Sequence, residues 1–335
     1  MIAWMLLACV KPTPSGAAAT APWQGPEARL AGTTEAVAYS GYREGQHPDR
    51  GDGEVLPSRE ETLEDLRLLA RDGNFPLIRV YDAGAQTRQV LEVLRDEQLP
   101  IKVMLGAWLA AELSNHEDCA WLSAPIPDET LAANALANAA QVESAIALVH
   151  EFPEQIVAVN VGNEALVTWN DHLVSIDAMV GYLTQVREAV DVPVTTADNY
   201  VAWTVHADAL TPVVDLAMVH TYPQWEGHDL DTAMPYTLEN LQAVRTALPD
   251  TPLVVGEAGW ASHASEFGER ASEAKQHAYV DALTGWARDA NVTTFVFEAF
   301  DEPWKGDPGN PDGAEKHWGL FTVDRKPKAI LAERY

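Results

Sequence analysis

Basic residues are scarce. In 335 residues, 22 Lys and Arg stand against 50 Asp and Glu, a formal net charge of −28. Charged residues make up only 21% of the chain and apolar ones 47%, so the imbalance is a shortage of Lys and Arg rather than a flood of acid. That composition belongs to a globular chain, not to an acidic disordered one. With no basic stripe there is nothing to focus a nucleic acid, and the net field repels anionic polysaccharides and anionic membrane surfaces. A neutral ligand is indifferent to it. Cysteine is scarce too: Cys9 and Cys119 cannot build a disulfide framework. No segment has the length and apolarity of a membrane span. Also missing are G-x-S-x-G, H-E-x-x-H and a P-loop, so serine-hydrolase, zincin and NTPase readings lack support. The acidic, turn-rich stretch 307–315 fails the EF-hand spacing. No metal and no cofactor is expected.

The first nine residues, MIAWMLLAC, end in Leu6-Leu7-Ala8-Cys9, which resembles a bacterial lipobox whose cysteine is lipidated. The apolar run is short and no Lys or Arg precedes it, as if the recorded start lay inside a longer signal. Residues 10–32 begin with a run rich in Pro, Ala, Thr and Ser that suits a tether. The expected organisation is a truncated lipoprotein signal at 1–9, a tether at 10–32 and a single domain at 33–335. The protein is then exported, surface-anchored or secreted, and monomeric, with membrane contact only through a lipid on Cys9. Cys119 becomes a lone thiol in the packing.

From residue 35 onward, short apolar or β-branched runs alternate with amphipathic helical segments. Eight strand candidates fall at 36–42, 77–81, 101–105, 156–161, 192–197, 214–220, 253–257 and 293–297. They are nearly continuous apolar runs, as expected of parallel strands buried on both faces. Between them, Ser58 and Glu61 have capping-box spacing ahead of Leu63, Leu66 and Leu69. Helical patterns cover 131–152, 175–190, 236–248, 271–290 and 326–334. Eight βα units over about 300 residues predict a (β/α)8 barrel. A doubly wound sheet is the weaker alternative, since no G-x-G-x-x-G follows the first strand. In a barrel, chemistry lies just past the C-terminal ends of the strands.

Two carboxylates stand at such ends. Strand four closes on Val159-Asn-Val-Gly162-Asn163-Glu164, and strand seven on Gly256-Glu257-Ala-Gly259-Trp260. An unpaired charge at the lip of an apolar strand is costly, so either each has its own ion pair or the two act together. Glycoside hydrolysis uses such a pair, one to protonate the leaving oxygen and one to attack the anomeric carbon. Arg79, a cation inside the second strand's Leu-Ile-Arg-Val-Tyr run, is expected to pair with Glu257. Of the 27 aromatic residues, eight fall at or beyond strand ends, and Tyr39, Tyr222, Trp260 and Trp304 are the expected sugar-stacking contacts. The ten His are scattered, and His220, ending strand six, reads as a core imidazole.

The runs Val-Gly-Asn-Glu at 161–164, Gly-Glu-Ala-Gly-Trp at 256–260, Phe-Asp-Glu-Pro-Trp-Lys at 300–305 and His-Trp-Gly-Leu-Phe at 317–321 resemble glycoside hydrolase family 17. The resemblance extends from Ala38-Tyr-Ser-Gly-Tyr-Arg43 to the final helix. It implies a (β/α)8 fold, cleavage of β-1,3-glucan such as laminarin, and net retention through a glycosyl-enzyme. It matches Glu164 to the general acid/base, Glu257 to the nucleophile, and Glu302, Lys305 and Glu315 to charged residues flanking the catalytic centre. Asn163 is placed to hold a sugar hydroxyl beside the reacting carbon, or to cap the loop backbone. Glu164 would need a raised pKa, with Glu257 supplying the neighbouring anion. Ala261 departs from the family's commoner proline, which should soften the loop after the nucleophile. The same pair would serve a β-1,3-glucanosyltransferase; other readings are an inactive glucan-binding surface lipoprotein and a β-1,4-acting barrel glycosidase.

Overall fold

The computed structural model describes residues 22–49 and 53–332; Cys9 and the proposed signal lie outside them. Eight parallel strands close into a barrel in chain order. They are β1 (Glu35–Ala38), β2 (Leu77–Arg79), β3 (Lys102–Ala107), β4 (Ile156–Asn163), β5 (Val194–Asn199), β6 (Ala217–His220), β7 (Leu253–Gly259) and β8 (Thr294–Phe297). The helices are α1 (Arg59–Arg71), α2 (Ala85–Asp96), α3 (Asp128–Glu151), α4 (Ile176–Ala189), α5 (Tyr200–Val205), α6 (Ala207–Leu210), α7 (Leu230–Ala247), α8 (Glu273–Ala290) and α9 (Ala329–Ala332). The expected fold is the observed one.

Local chemistry sets the boundaries. The capping box on α1 is formed in full: Ser58 accepts from the Glu61 N–H, and the Glu61 carboxylate accepts from the Ser58 N–H. Ser175 and Ser272 cap α4 and α8 the same way with their hydroxyls. Asn291, in the left-handed conformation at φ 60°, ends α8. Two crossovers lie outside the expected helical segments. One is α2, whose N-cap is Gly84 with no side-chain bond, and the other is the pair α5 and α6, too short to show a period.

Two layers of core follow from strand parity. Val37, Ile78, Val103, Val159, Val219 and Val255 point out to the helices. Ala36, Leu77, Met104, Ala158, Met218, Val254 and Phe295 fill the barrel. Leu30 belongs to this inner cluster, and its N–H donates to Thr293 Oγ1 at 3.1 Å. So residues 22–32, expected to be tether, are packed structure. Trp23 sits edge-on to Trp286 with centroids 5.2 Å apart, and the Gln24 side chain bonds the backbone of Leu253 in both directions. The folded unit therefore begins before residue 33, because Trp23 and Leu30 are large apolar side chains with a core to enter.

Candidate active site

Parity also aims the site. In β2 the inward series Leu77, Arg79 continues past the strand to Tyr81; in β6, Met218 and His220 continue to Tyr222. The carboxylates arrive by irregularity. Between β6 and β7 the register slips, so that Val219 faces Val255 but His220 faces Glu257. Without the extra residue, Glu257 would share the outward face of Val255. A similar slip between β4 and β5 separates Asn160 from Asn163. Gly162 at φ 77° and Glu164 at φ 47° then turn the chain at the rim. A glutamate in the left-handed region is strained, and such strain collects at functional positions.

Arg79 is the hub. Fully buried, it donates from Nη1 to Glu257 Oε1 at 2.7 Å and to the Gly256 carbonyl at 3.2 Å, and it contacts His220 Nε2 at 3.1 Å. Its Nη2 donates to Asn163 Oδ1 at 2.5 Å. The expected Arg79–Glu257 pair is therefore formed. Tyr81 donates to Glu257 Oε1 at 2.9 Å, and the Tyr222 hydroxyl donates to Oε2. Burial first, then the Glu257 charge, pushes both phenols well above their ordinary range, so they remain donors. Tyr222 thus holds the carboxylate through its hydroxyl. Asn163 spends its amide oxygen on Arg79; its backbone carbonyl meets His172 Nε2 at 2.7 Å.

Glu164 is gripped from two sides. His220 Nδ1 lies 2.9 Å from Oε1, and Asn170 Nδ2 donates to Oε2 at 2.9 Å. Burial raises the Glu164 pKa, but the hydrogen bonds from His220 and Asn170, together with His172, outweigh it, and the carboxyl rests below its ordinary range. This corrects the expectation of a raised value: the donors that His220 and Asn170 present to the carboxylate outweigh the burial that was to do the raising. Donor atoms of Glu164, His220 and Glu257 all lie within 4.8 Å of one another. The positive charge serving this cluster is the guanidinium of Arg79, already in contact with two of the three.

Past β8, Lys305 Nζ bridges Glu298 Oε2 at 2.6 Å and Glu302 Oε2 at 2.5 Å. Burial opposes the Lys305 charge, yet the two carboxylates raise its pKa, while burial and then Glu302 raise that of Glu298. Ser40 and Trp304 Nε1 donate to Glu302 Oε1. Glu315 is raised by burial, an effect opposed by Lys305 and reinforced by Glu164 and Glu257, which places it within reach of their field.

Two expected stacking residues are corrected. Tyr39 is buried, with its hydroxyl 3.4 Å from Asp65 Oδ2 and its ring against Phe300. Trp260 is buried, donating from Nε1 to the Arg270 carbonyl and packed on Tyr279. Each faces the shell between sheet and helices rather than the mouth. Trp304, half-buried and edge-on to Tyr42, remains at the rim. His220, Tyr81, Asn170, His172 and Glu298 went unchosen in the sequence. For Tyr81 and His220 the signal was present, since each continues an inward series; for Asn170 and His172, in a loop, there was none. Ala261 also differs from expectation: its N–H donates to the buried Gln224 Oε1 at 2.8 Å, a bond that proline could not make, so the loop is tied rather than soft.

A closed (β/α)8 barrel with two carboxylates converging at its C-terminal rim, one on an arginine and two phenols, defines a barrel glycoside hydrolase. Residues 36–319 match the model of the BtgE/BtgC glycoside hydrolase domain, and the chain belongs to that family. A glucan 1,3-beta-glucosidase of Arthroderma benhamiae is 28% identical over 252 residues, 68% of this chain and 70% of that one. A glucan 1,3-beta-glucosidase of Schizosaccharomyces pombe is 30% identical over 195 residues, 53% and 58% of the two chains. Among solved structures, an endo-laminarinase from Formosa Hel1_33_131 superposes with a TM-score of 0.75 at 29% identity, covering 89% of this chain and 86% of that one. A glycoside hydrolase family 17 β-1,3-glucanosyltransferase from Rhizomucor miehei gives 0.68 at 20% identity, covering 91% and 97%, and speaks for the fold. The resemblance to family 17 stands.

Proposed function

We propose that the protein cleaves β-1,3-glucan of the laminarin type with net retention, Glu257 acting as nucleophile and Glu164 as acid/base. The observation that carries the reading is the separation: an oxygen of each carboxylate lies within 4.8 Å of the other. An inverting pair needs roughly 6.5–9.5 Å to admit a water between sugar and base, a retaining pair roughly 5–5.5 Å. The names of the similar proteins support the substrate, and an uncharged glucan suits a site within a molecule of net charge −28.

In the first step Glu257 Oε2 or Oε1 bonds to the anomeric carbon, the glycosidic C–O bond breaks, and Glu164 gives its proton to the leaving oxygen. In the second, water attacks that carbon, Glu164 takes the water's proton, and the Glu257 ester bond breaks. Glu164 enters as an acid although the free site holds its pKa low. Its side chain is 20% exposed, and a bound sugar that covers it adds the desolvation that drives the proton back on. Arg79, Tyr81 and Tyr222 hold Glu257 for in-line attack.

Incubation with laminarin and analysis of products over time tests the reading. New reducing ends with short oligosaccharides mean hydrolysis; glucose alone means exo action; products longer than the substrate mean glucanosyl transfer. No change on laminarin or on β-1,3 oligosaccharides sinks it. Glu257→Ala should be nearly inactive and azide should rescue it with inverted product. Glu164→Ala should keep activity on aryl glucosides with good leaving groups, and azide should there give retained product. We further place the protein outside the cytoplasm on a Cys9 anchor, to be checked by palmitate incorporation that Cys9→Ser abolishes.

A further inference from the structure

His220 belongs to neither carboxylate alone. The imidazole ends β6, is fully buried, and meets three groups: Arg79 of β2 at Nε2, Glu164 just past β4 at Nδ1 (2.9 Å), and Glu257 of β7, whose Oε2 is 3.6 Å from Nδ1. Arginine has only protons to give, so at 3.1 Å Nε2 must accept. One ring nitrogen then carries the proton, and it is Nδ1, the atom that faces both carboxylates. The space for the ring is made by the neighbouring strand. A Cβ on Gly256 would stand 2.6 Å from Met218 Cγ and 3.0 Å from His220 Cδ2 and Nε2, so the ring lies directly against a stretch of β7 that has no side chain there.

We propose that His220 is a positioning residue locked by Arg79 as the neutral Nδ1–H tautomer, and that its single proton, donated to Glu164, fixes the rotamer of the acid/base and sets the pH above which that group stops working as an acid. The inference rests on the assignment of Glu164 and Glu257 given above. One chain of bonds then runs from Asn163 through Arg79 to Glu257 on one side, and from Arg79 through His220 to Glu164 on the other. The lowered pKa of Glu164 agrees with a donor at Oε1. Other titratable groups act on Glu164 or feel it. These are His172 from the β4–α4 loop, Asp198 from β5, Tyr222 beyond β6 and Glu315 from the last loop. Of these neighbours only His220 both bonds Glu164 and approaches Glu257.

Three proteins separate this role from mere packing: wild type, His220→Asn, whose amide Nδ2 keeps a donor near the place of Nδ1, and His220→Phe, which fills the space without one. The pH dependence of kcat/KM is measured on a laminari-oligosaccharide and on an aryl glucoside with a good leaving group. Removing a donor from Glu164 raises its pKa, so the acid stays protonated to higher pH. For His220→Phe the alkaline limb on the oligosaccharide should move to higher pH while kcat falls about 10²-fold through lost orientation. His220→Asn should keep the wild-type limb with a smaller loss. On the aryl glucoside, which needs no acid for glycosylation, the alkaline limb should be missing in all three. A uniform loss with an unmoved limb in His220→Phe, or a downward move, overturns the proposal. If His220→Phe does not fold, ¹⁵N chemical shifts of the wild-type imidazole decide, the His220 signals being identified by their loss in His220→Asn. A protonated Nδ1 beside a bare Nε2 is expected; protonated Nε2 with bare Nδ1, or both protonated, overturns it. Should wild type leave laminarin and the aryl glucoside untouched, the functional assignment fails and the tautomer measurement still stands on its own.

Discussion

Arg79 has no adequate replacement, because four acceptors surround one planar group. Lysine carries a single ammonium and cannot span Glu257, His220, the Gly256 carbonyl and Asn163 together. Arg79→Lys should cut kcat/KM by at least about 10²-fold. Leaving Glu257 imperfectly paired in a buried site should also cost about 3–5 kcal/mol, read as a lowered urea midpoint. Trp260 supplies the opposite case. Fully buried and hydrogen-bonded to Arg270, it should behave as core: Trp260→Ala should cost about 3–5 kcal/mol in stability. KM for laminarin should stay unchanged in whatever fraction folds. A raised KM with an unchanged unfolding midpoint would return it to the cleft. These two residues show what the sequence could and could not tell. A cation in an apolar strand has few ways to exist, so its partner could be inferred. An aromatic beyond a strand end has two faces open to it, and the choice turns on bulges and loop turns that composition does not reveal. Glu257 was legible as chemistry, although the register slip that turns it inward was not.

Among the elements, the loop after β7 is held by its neighbours. Gln224, beyond β6, accepts from the Ala261 N–H and donates to the Arg270 carbonyl, and Arg270 donates back to the Gln224 carbonyl at 2.8 Å. Restoring the family's proline at 261 would remove one N–H and leave the buried Gln224 oxygen unpaired. Ala261→Pro should therefore destabilise by about 1–3 kcal/mol, measured by denaturant unfolding. A stabilised variant would mean the loop gains more from a stiffer unfolded chain than it loses in that bond. At α1, Ser58→Ala should cost about 1 kcal/mol by breaking the capping box. That box could be read from four letters of sequence. Helix α2 has no such box, since Gly84 caps it through no side chain, and its only mark in the sequence is the helical spacing of Val90, Leu91 and Leu94.

Across the whole molecule, buried acids set the response to pH. Burial raises the pKa of Asp65, Asp198, Glu298, Asp301 and Glu315. A carboxyl that binds its proton more tightly when folded stabilises the fold below the unfolded pKa, and that contribution is lost as pH rises through the folded value. Glu61 and Glu164 are lowered and act in the opposite sense, losing their contribution only as pH falls into their own low range. The charge of −28 adds self-repulsion as pH rises. Tm should therefore be higher near pH 5.5 than near pH 8, and salt should recover part of the difference by screening the repulsion. An equal or higher Tm near pH 8 would show that the buried acids are ionised at no cost.

The barrel was legible from eight apolar runs, and its lower boundary was not, because Trp23 and Leu30 lie among small and polar residues that look like linker. Their placement has a mechanical consequence. Trp23 bonds the carbonyl of Ala290 and accepts at its own carbonyl from Arg245, while Gln24 reaches the first residue of β7. The polypeptide thus enters the fold at the floor of the barrel, on the pole opposite the catalytic rim. Molecules attached to a support through a handle ahead of Trp23 would stand with the cleft turned outward, so a polymer too large to diffuse could be approached end-on without the support in its way.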